Sequence, residues 1–213
     1  MDNLYFRIKG LYAITPDALN TAELLGQVRL ALQGGTQVLQ YRNKVADASL
    51  KLRQAQALRQ LTHEFGTTFI VNDDAQLAAH VDADGVHLGG EDGSVAAARA
   101  LLGDARVIGV SCYNGASLAF DAVQQGADYV AFGAFFPSGV KPDAVKAEVR
   151  LLQTARRELE VPIVAIGGIT QQNGAALIEA GADALAVISA LWNAPDIEVA
   201  AQGFSTLFSR TKQ

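Results

Sequence analysis

The chain has 213 residues, half of them apolar, and a formal net charge of −5 at pH 7. This length is sufficient for one substantial core, and the mildly acidic balance excludes a broad nucleic-acid-binding surface, which would need an excess of positive charge. The single cysteine, Cys112, excludes an internal disulfide and is typical of a reducing compartment.

Signals for targeting or membrane insertion are not evident in the sequence. No apolar run approaches the length of a membrane span, and residues 1–10 carry charges at Asp2, Arg7 and Lys9 where a signal peptide would have an apolar core. We therefore expect a cytoplasmic protein that binds neither membrane nor nucleic acid. The sequence leaves its oligomeric state open, a homo-oligomer included.

Eight short apolar segments alternate with eight segments of helical character. The predicted strands are Leu11–Ile14, Gln37–Tyr41, Phe69–Val71, Gly85–Leu88, Val107–Ser111, Tyr129–Gly133, Pro162–Ile166 and Ala184–Ile188. Uninterrupted runs rich in β-branched residues are typical of parallel strands that are buried on both faces.

The predicted helices occupy the intervals between these strands. They begin near Thr21, Ala48, Asp74, Ser94, Ala116, Asp143 and Gln172, and a final helix includes Ile197 and Phe208. The longest, Ala48–Phe65, has apolar residues at helical spacing on one face, which indicates that this face is buried.

The turns that join helices to strands recur along the chain. Asp82-Ala83-Asp84, Gly126-Ala127-Asp128 and Gly181-Ala182-Asp183 each precede a predicted strand. This repetition predicts an α/β protein with one domain, residues 1–213, folded as a (β/α)₈ TIM barrel with an N-terminal extension at residues 1–10. The alternative is a doubly wound open sheet, but no strand is followed by the glycine fingerprint typical of its dinucleotide sites.

In such a barrel the chemistry lies where strands run into helices, so the residues after each strand are the candidate site. Alternation places Gln40, Arg42 and Lys44 on one side of the segment after strand two, where they could bind a diphosphate and a heterocycle. The alternative is a solvated basic loop.

Acidic residues follow strands three and four. Asp73, preceded by Asn72, and Asp92 would reach one rim, as a divalent cation with a phosphate-bearing ligand requires, although both positions could also serve as helix caps. Ser111, after strand five, could bind a phosphate or cap a helix.

The last strand ends suggest a second anion site. Gly167 and Gly168 follow strand seven, and Ile188 and Ser189 follow strand eight, the positions where barrels often bind a phosphate. The alternative is a tight turn that needs glycine for its dihedral angles. Two predicted phosphate-binding ends and a predicted metal site together indicate an enzyme that joins two phosphorylated molecules, with diphosphate as the leaving group.

The three histidines add little to this site. His63 and His80 fall on predicted helices, and His87 lies within a strand, where we expect a hydrogen-bonded barrel residue and not a base.

Six motifs in this order resemble those of the thiamine phosphate synthase family. They are Gln40-Tyr41-Arg42-Asn43-Lys44, Val71-Asn72-Asp73-Asp74, Gly85 to Asp92, Ile108 to Ser111, Phe136-Pro137-Ser138-Gly139-Val140-Lys141 and Ala165 to Ile169. The resemblance extends from about Leu11 to Leu191.

The resemblance implies that a hydroxymethylpyrimidine diphosphate and a thiazole phosphate are condensed to thiamine phosphate, with Mg²⁺ assisting departure of diphosphate. Asp73 and Asp92 would bind Mg²⁺, and Arg42, Lys44, Ser111 and Lys141 would be catalytic. The implied substrate contacts are Gln40, Tyr41, Arg42, Asn43, Lys44, Asn72, Ser111, Ser138, Gly139, Val140, Lys141, Gly168, Ile188 and Ser189.

Two departures from the family pattern are visible. Ser138 and Val140 stand where two threonines are usual, and Gly90 stands where glutamine is frequent. The rival readings are a thiazole tautomerase-like relative of the same fold, a phosphosugar isomerase or aldolase barrel, and a ligand-binding regulator. A tautomerase needs no diphosphate site. An isomerase or aldolase would need a lysine inside the barrel, and no predicted strand contains one. A regulator would need an attached recognition domain, and we see none in the sequence.

Overall fold

The computed structural model describes residues 8–137 and 145–210, which form eight strands and nine helices. The strands are β1 Gly10–Ile14, β2 Val38–Tyr41, β3 Thr68–Asn72, β4 Gly85–Leu88, β5 Val107–Tyr113, β6 Tyr129–Phe132, β7 Ile163–Ile166 and β8 Ala184–Val187. Their ends differ from the predicted ones by at most two residues, and the largest difference is at β5, where the pairing shifts between Ser111 and Tyr113.

The helices cover the outside of these strands. They are α1 Thr21–Gln33, α2 Ala48–Phe65, α3 Ala75–His80, α4 Val95–Leu102, α5 Ala116–Gln124, α6 Val149–Glu158, α7 Gly174–Glu179, α8 Ser189–Trp192 and α9 Ile197–Arg210. The short α8 was not predicted. Within the described ranges no helix is long and apolar enough to cross a bilayer.

Helix α6 begins later than predicted. The sequence predicted a start near Asp143, which lies outside the described residues, but residues 145–148 are described and are not helical. The Ala134 N–H donates to Val145 O (3.2 Å) and the Ala147 N–H donates to Ala134 O (2.9 Å). These backbone hydrogen bonds hold the segment against the chain after β6, so the helix starts only at Val149.

The strands close into a parallel barrel in sequence order, with β8 paired to β1. The predicted (β/α)₈ fold is therefore confirmed, and the open sheet is wrong because every described strand has a neighbour on both sides. Ile8 is buried inside the barrel and Gly10 begins β1, so residues 8–10 of the predicted N-terminal extension belong to the barrel.

Strand alternation divides the core into two clusters. One cluster lies inside the barrel and includes Tyr12, Ile14 and Tyr129, whereas the other packs the outward strand faces against the helices and includes Leu11 and Ala13. Because both faces of each strand are buried, the strands appear in the sequence as continuous apolar runs.

The repeated turns have a common structural role at the amino ends of the strands. In each, an aspartate Oδ2 accepts a hydrogen bond from an arginine on a helix and another from a strand backbone N–H. The three sets are Arg59, Asp84 and the Phe69 N–H; Arg99, Asp128 and the Ile108 N–H; and Arg156, Asp183 and the Ile163 N–H. These ion pairs fasten α2, α4 and α6 to the end of the barrel opposite the predicted site.

Candidate active site

A cavity of about 680 Å³ lies at the carboxyl ends of the strands, and all eight strands contribute lining residues. Of the residues predicted to contact substrate, those that line it are Gln40, Arg42, Asn72, Ser111, Gly168, Ile188 and Ser189. The structure therefore brings residues of both predicted phosphate-binding ends to one cavity, whereas Lys44, Asp73 and Asp92 are not among its lining residues.

Two predicted contact residues face away from this cavity. The Tyr41 hydroxyl donates to Gln54 Oε1 (2.8 Å), and Asn43 Nδ2 donates to Gln54 Oε1 (2.9 Å) and Ala18 O (2.6 Å). Asn43 Oδ1 also accepts from the Val45 and Ala46 N–H groups. Both side chains are buried and shape the loop that carries Arg42 and Lys44.

Asp17, in the loop after β1, connects the two basic residues after β2. Its Oδ1 lies 3.3 Å from Arg42 Nη1 and accepts the Lys44 backbone N–H at 2.6 Å. Thr15 Oγ1 donates to Arg42 O (2.8 Å) and accepts from the Arg42 N–H (2.9 Å). The loop after β1 therefore holds the loop after β2, which aims Arg42 at the cavity.

The acidic residues continue this series of contacts. Lys44 Nζ forms an ion pair with Asp73, and the Asp73 carboxyl group lies close enough to that of Asp92 for each to shift the other's pKa. Asp73 has a left-handed backbone (φ 65°), and its N–H donates to His87 O (2.8 Å). The left-handed conformation is unusual for a residue other than glycine and turns Asp73 towards its partners at the rim.

The two carboxyl groups influence each other's ionisation. Burial opposes ionisation of Asp73, but the hydrogen bonds from Lys44 and with Asp92 outweigh it, and the pKa of Asp73 is lowered. The pKa of Asp92 is raised by burial and by the neighbouring Asp73 carboxylate. Adjacent carboxylates that resist double ionisation are suited to a divalent cation, which would neutralise their repulsion.

The number of available ligands limits the kind of metal site. Among the residues that the structure describes, no group of three or more His, Cys, Asp or Glu side chains could bind a metal ion. Mg²⁺ commonly uses one or two carboxylates and completes its shell with water and substrate phosphate. The Asp73–Asp92 pair fits that pattern and does not fit a zinc site.

A turn before Asp92 sets the direction of its side chain. Asp92 Oδ2 accepts the Gly89 N–H (2.9 Å), and the Gly90 N–H donates to the Tyr113 hydroxyl (3.3 Å). A Cβ at Gly90 would lie 3.4 Å from that hydroxyl. Tyr113, which also lines the cavity, therefore occupies the space beside Gly90.

The glycines after β7 are required by geometry. Gly167 and Gly168 have φ angles of 103° and 61°, and a Cβ at Gly168 would lie 2.4 Å from Pro137 O. Dihedral angles and close packing against the loop after β6 both exclude a side chain there. This observation supports the tight-turn alternative without removing Gly168 from the cavity wall.

The neighbouring part of the cavity wall is formed by the start of α8, because β8 pairs with β7. Ser189 and Ala190 line the cavity in the first turn of this helix, where backbone N–H groups have no helical partner and can donate to an anion. Trp192 Nε1 donates to Ile14 O (2.6 Å), which fixes α8 against β1.

Polar residues inside the barrel form the cavity floor. His87 Nδ1 lies 2.9 Å from the Tyr129 hydroxyl and Nε2 lies 2.9 Å from Ser111 Oγ, so the prediction of a hydrogen-bonded barrel histidine is confirmed. Burial lowers the pKa of His87 to about 4, with Asp73 opposing this shift. Tyr12 and Tyr129 were not identified from the sequence, although each is a polar residue in a predicted apolar strand.

The predicted residues Ser138, Gly139, Val140 and Lys141 lie outside the described residues. Pro137 and Val145, on either side of that stretch, both line the cavity.

Comparisons with known proteins were consistent in sequence and in structure. The family model described as thiamine monophosphate synthase matches residues 11–191. The thiamine-phosphate synthase of Methylobacillus flagellatus is 56% identical over 202 residues, covering 95% of this chain and 96% of that protein. The Aromatoleum aromaticum thiamine-phosphate synthase is 52% identical, covering 95% and 97%.

A solved structure agrees as well. The thiamine phosphate pyrophosphorylase from Pyrococcus furiosus superimposes with a TM-score of 0.88 at 34% identity, covering 99% of this chain and 100% of that one.

Proposed function

The chain belongs to the thiamine monophosphate synthase family and is a transferase, and from this we propose the reaction that it catalyses. It condenses 4-amino-2-methyl-5-(diphosphooxymethyl)pyrimidine with 4-methyl-5-(2-phosphooxyethyl)thiazole. The bond between the pyrimidine methylene carbon and the diphosphate oxygen breaks, and the thiazole nitrogen forms a bond to that carbon. The products are thiamine phosphate and diphosphate.

The observation that carries this proposal is the contact series Arg42, Asp17, Lys44, Asp73 and Asp92 beside the cavity. It brings two cations together with three carboxylates, two of which, Asp73 and Asp92, are adjacent, as a metal-bound diphosphate leaving group requires. A phosphosugar isomerase or aldolase would have no use for such a cluster, and neither would a tautomerase acting on a monophosphate.

We assign the residue roles from the family resemblance; of the residues concerned, those that line the cavity are Gln40, Arg42, Asn72, Ser111, Gly168, Ile188 and Ser189. Arg42 and Lys44 would bind the diphosphate, Gln40 and Asn72 the pyrimidine side, and Ser111, together with Lys141, the same substrate near its diphosphate. The thiazole phosphate would be bound by residues 138–140, Gly168, Ile188 and Ser189. Each group stabilises charge or fixes orientation, so no covalent nucleophile is needed.

Asp73 and Asp92 would hold Mg²⁺. When bound there, the ion would supply positive charge that makes diphosphate a better leaving group. Lys44 already contacts Asp73, so its ammonium group is positioned to share the same phosphate oxygens.

The decisive experiment mixes both purified substrates with the protein and measures diphosphate release with and without Mg²⁺. We expect equal amounts of thiamine phosphate and diphosphate, and loss of both on EDTA treatment. Product formed equally well in EDTA would refute the metal assignment, and turnover of the thiazole phosphate alone would favour a tautomerase.

Asp92→Ala separates the metal role from helix capping. The side chain is exposed, so we expect the melting temperature to change little while the Mg²⁺ concentration needed for half-maximal rate rises. Asp74→Ala is the matched control because Asp74 caps α3 through the Leu77 N–H (2.9 Å). It should lower stability by about 1 kcal/mol without changing metal dependence.

A further inference from the structure

Five polar side chains inside the barrel form one continuous hydrogen-bonded chain. Gln40 Nε2 donates to the Tyr12 hydroxyl (2.8 Å), which lies 2.8 Å from the Tyr129 hydroxyl. Tyr129 contacts His87 Nδ1, and His87 Nε2 contacts Ser111 Oγ, each at 2.9 Å. All five residues line the cavity, so the chain connects two of its polar ends through the cavity floor.

The directions of these hydrogen bonds depend on one another. Each hydroxyl has one hydrogen to donate, and a neutral imidazole carries one N–H. Because Gln40 donates to Tyr12, the Tyr12 hydrogen is available to Tyr129, and the Tyr129 hydrogen to His87 Nδ1. The imidazole hydrogen is then on Nε2 and is donated to Ser111.

An arrangement in which Gln40 and Tyr129 both donate to the Tyr12 hydroxyl is unfavourable. It would leave the Tyr12 hydrogen without an acceptor among the described contacts, and Tyr12 is only 1% exposed. A buried donor without a partner carries a substantial energetic penalty. His87 is itself buried, with a hydroxyl oxygen beside each ring nitrogen, and burial favours the neutral form of an imidazole.

We infer that this chain makes Ser111 a hydrogen-bond donor to the ligand and Gln40 an acceptor, and that Tyr12, Tyr129 and His87 are positioning residues that impose both roles together. Ser111 Oγ accepts from His87, so its own hydrogen is left for the cavity. The Gln40 amide nitrogen donates to Tyr12, and this contact fixes the orientation of the amide. The carbonyl oxygen of Gln40 is therefore free to accept from a ligand amine.

The choice of ligands for Ser111 and Gln40 rests on the proposed function. An anionic phosphate oxygen accepts from Ser111, and the amino group of an aminopyrimidine donates to Gln40. The chain thereby couples recognition of the ring to recognition of its diphosphate, although Gln40 and Ser111 are on different strands.

A second fully paired arrangement has every hydrogen bond reversed. An obligate acceptor at position 40 would take the Tyr12 hydrogen, Tyr12 would accept from Tyr129, and Tyr129 would accept from His87 Nδ1–H. Ser111 would then donate to His87 Nε2 and could no longer donate to a ligand. Gln40→Glu should impose this reversal when the introduced carboxyl is ionised, because a carboxylate only accepts.

The test is the tautomer of His87, measured by nitrogen NMR of histidine-labelled protein without any substrate. The chain has three histidines, and the exposed His63 and His80 serve as internal controls for the resonances. We expect Nε2–H in the unsubstituted protein and Nδ1–H in Gln40→Glu at alkaline pH. In a Tyr129→Phe background, Gln40→Glu should leave the tautomer unchanged.

Either Nδ1–H in the unsubstituted protein or no change with Gln40→Glu would overturn the inference. The first result needs no variant, so misfolding of a variant leaves the inference testable. Since substrate is absent, failure here is distinct from failure of the proposed reaction.

Binding of inorganic diphosphate, measured by calorimetry, gives a second readout. A hydrogen bond to a charged group contributes roughly tenfold or more in affinity, so Ser111→Ala and Gln40→Glu should each weaken binding by about that factor. The double variant should weaken diphosphate binding by clearly less than the product of the two single losses, since both substitutions remove the hydrogen bond that Ser111 donates. In the Tyr129→Phe background Gln40→Glu should no longer remove the Ser111 donor, so any loss that it still causes should multiply with the loss from Ser111→Ala; losses that multiply without Tyr129→Phe would contradict the coupling.

Discussion

Removing Asp128 tests the role of the repeated aspartates at the amino ends of the strands. Its Oδ2 accepts from Arg99 Nη2 (2.6 Å) and from the Ile108 N–H (2.7 Å). The side chains of Arg99 and Asp128 are 22% and 19% exposed, so water screens the ion pair only in part. Asp128→Ala therefore removes a partly buried ion pair and leaves a strand N–H without its partner.

The expected cost is the sum of two parts. The ion pair contributes about 1 kcal/mol, the upper end for pairs in contact with solvent, and the unpaired N–H costs about 2 kcal/mol. A loss of about 3 kcal/mol should lower the melting temperature by roughly 6–12 °C for a chain of this length. The rate and KM should not change because this end of the barrel lies opposite the cavity.

Thermal unfolding and turnover, measured on the same preparations, check both expectations. Glu64→Ala is the matched control, since Glu64 pairs with Arg29 (3.1 Å) but the two side chains are 47% and 50% exposed. It should cost no more than about 0.5 kcal/mol. If Asp128→Ala were as stable as this control, or lost activity while remaining folded, the proposed division between a stability end and a catalytic end would be refuted.

Three further predictions concern the site. The pKa of His87 falls from 6.5 to about 4 on folding, so the unfolded state binds more protons between these values and stability is lost as the pH falls through this window, by about 3 kcal/mol in total. The His87→Gln variant lacks this contribution. Its free energy of unfolding, measured with urea, should therefore fall less between pH 6.5 and about 4 than that of the unsubstituted protein. Equal losses in the two proteins would contradict the role of His87. Gly168→Ala should raise the KM for the thiazole phosphate, because its Cβ would meet Pro137 O, whereas Gly66→Ala, at a similar φ of 65° with no atom within 4 Å, should change stability alone. Lys141→Ala should lower the rate far more than Val140→Thr, and steady-state kinetics showing the reverse order would relocate the site.

The barrel and the location of its candidate site, at the carboxyl ends of the strands, were predictable from local sequence patterns. Short β-branched runs, helical spacing and turn residues such as Asp82-Ala83-Asp84 act over a few residues, so they specify strands and helices before any long-range contact is known. Parallel strands then carry Arg42, Asp73 and Asp92 to one edge, whatever the details of packing. The motif resemblance added the ligands that we propose, which no periodicity contains.

Long-range pairings needed the folded barrel. Tyr12 and Tyr129 are 117 residues apart, and Trp192 and Ile14 are 178 apart. Which inward side chains meet depends on how the closed sheet is staggered, and that stagger is set by all eight strands together. The start of α6 was likewise decided by backbone pairing with Ala134. Local propensity therefore specifies the elements, whereas closure of the barrel selects the partners that turn Ser111 and Gln40 into a coupled pair.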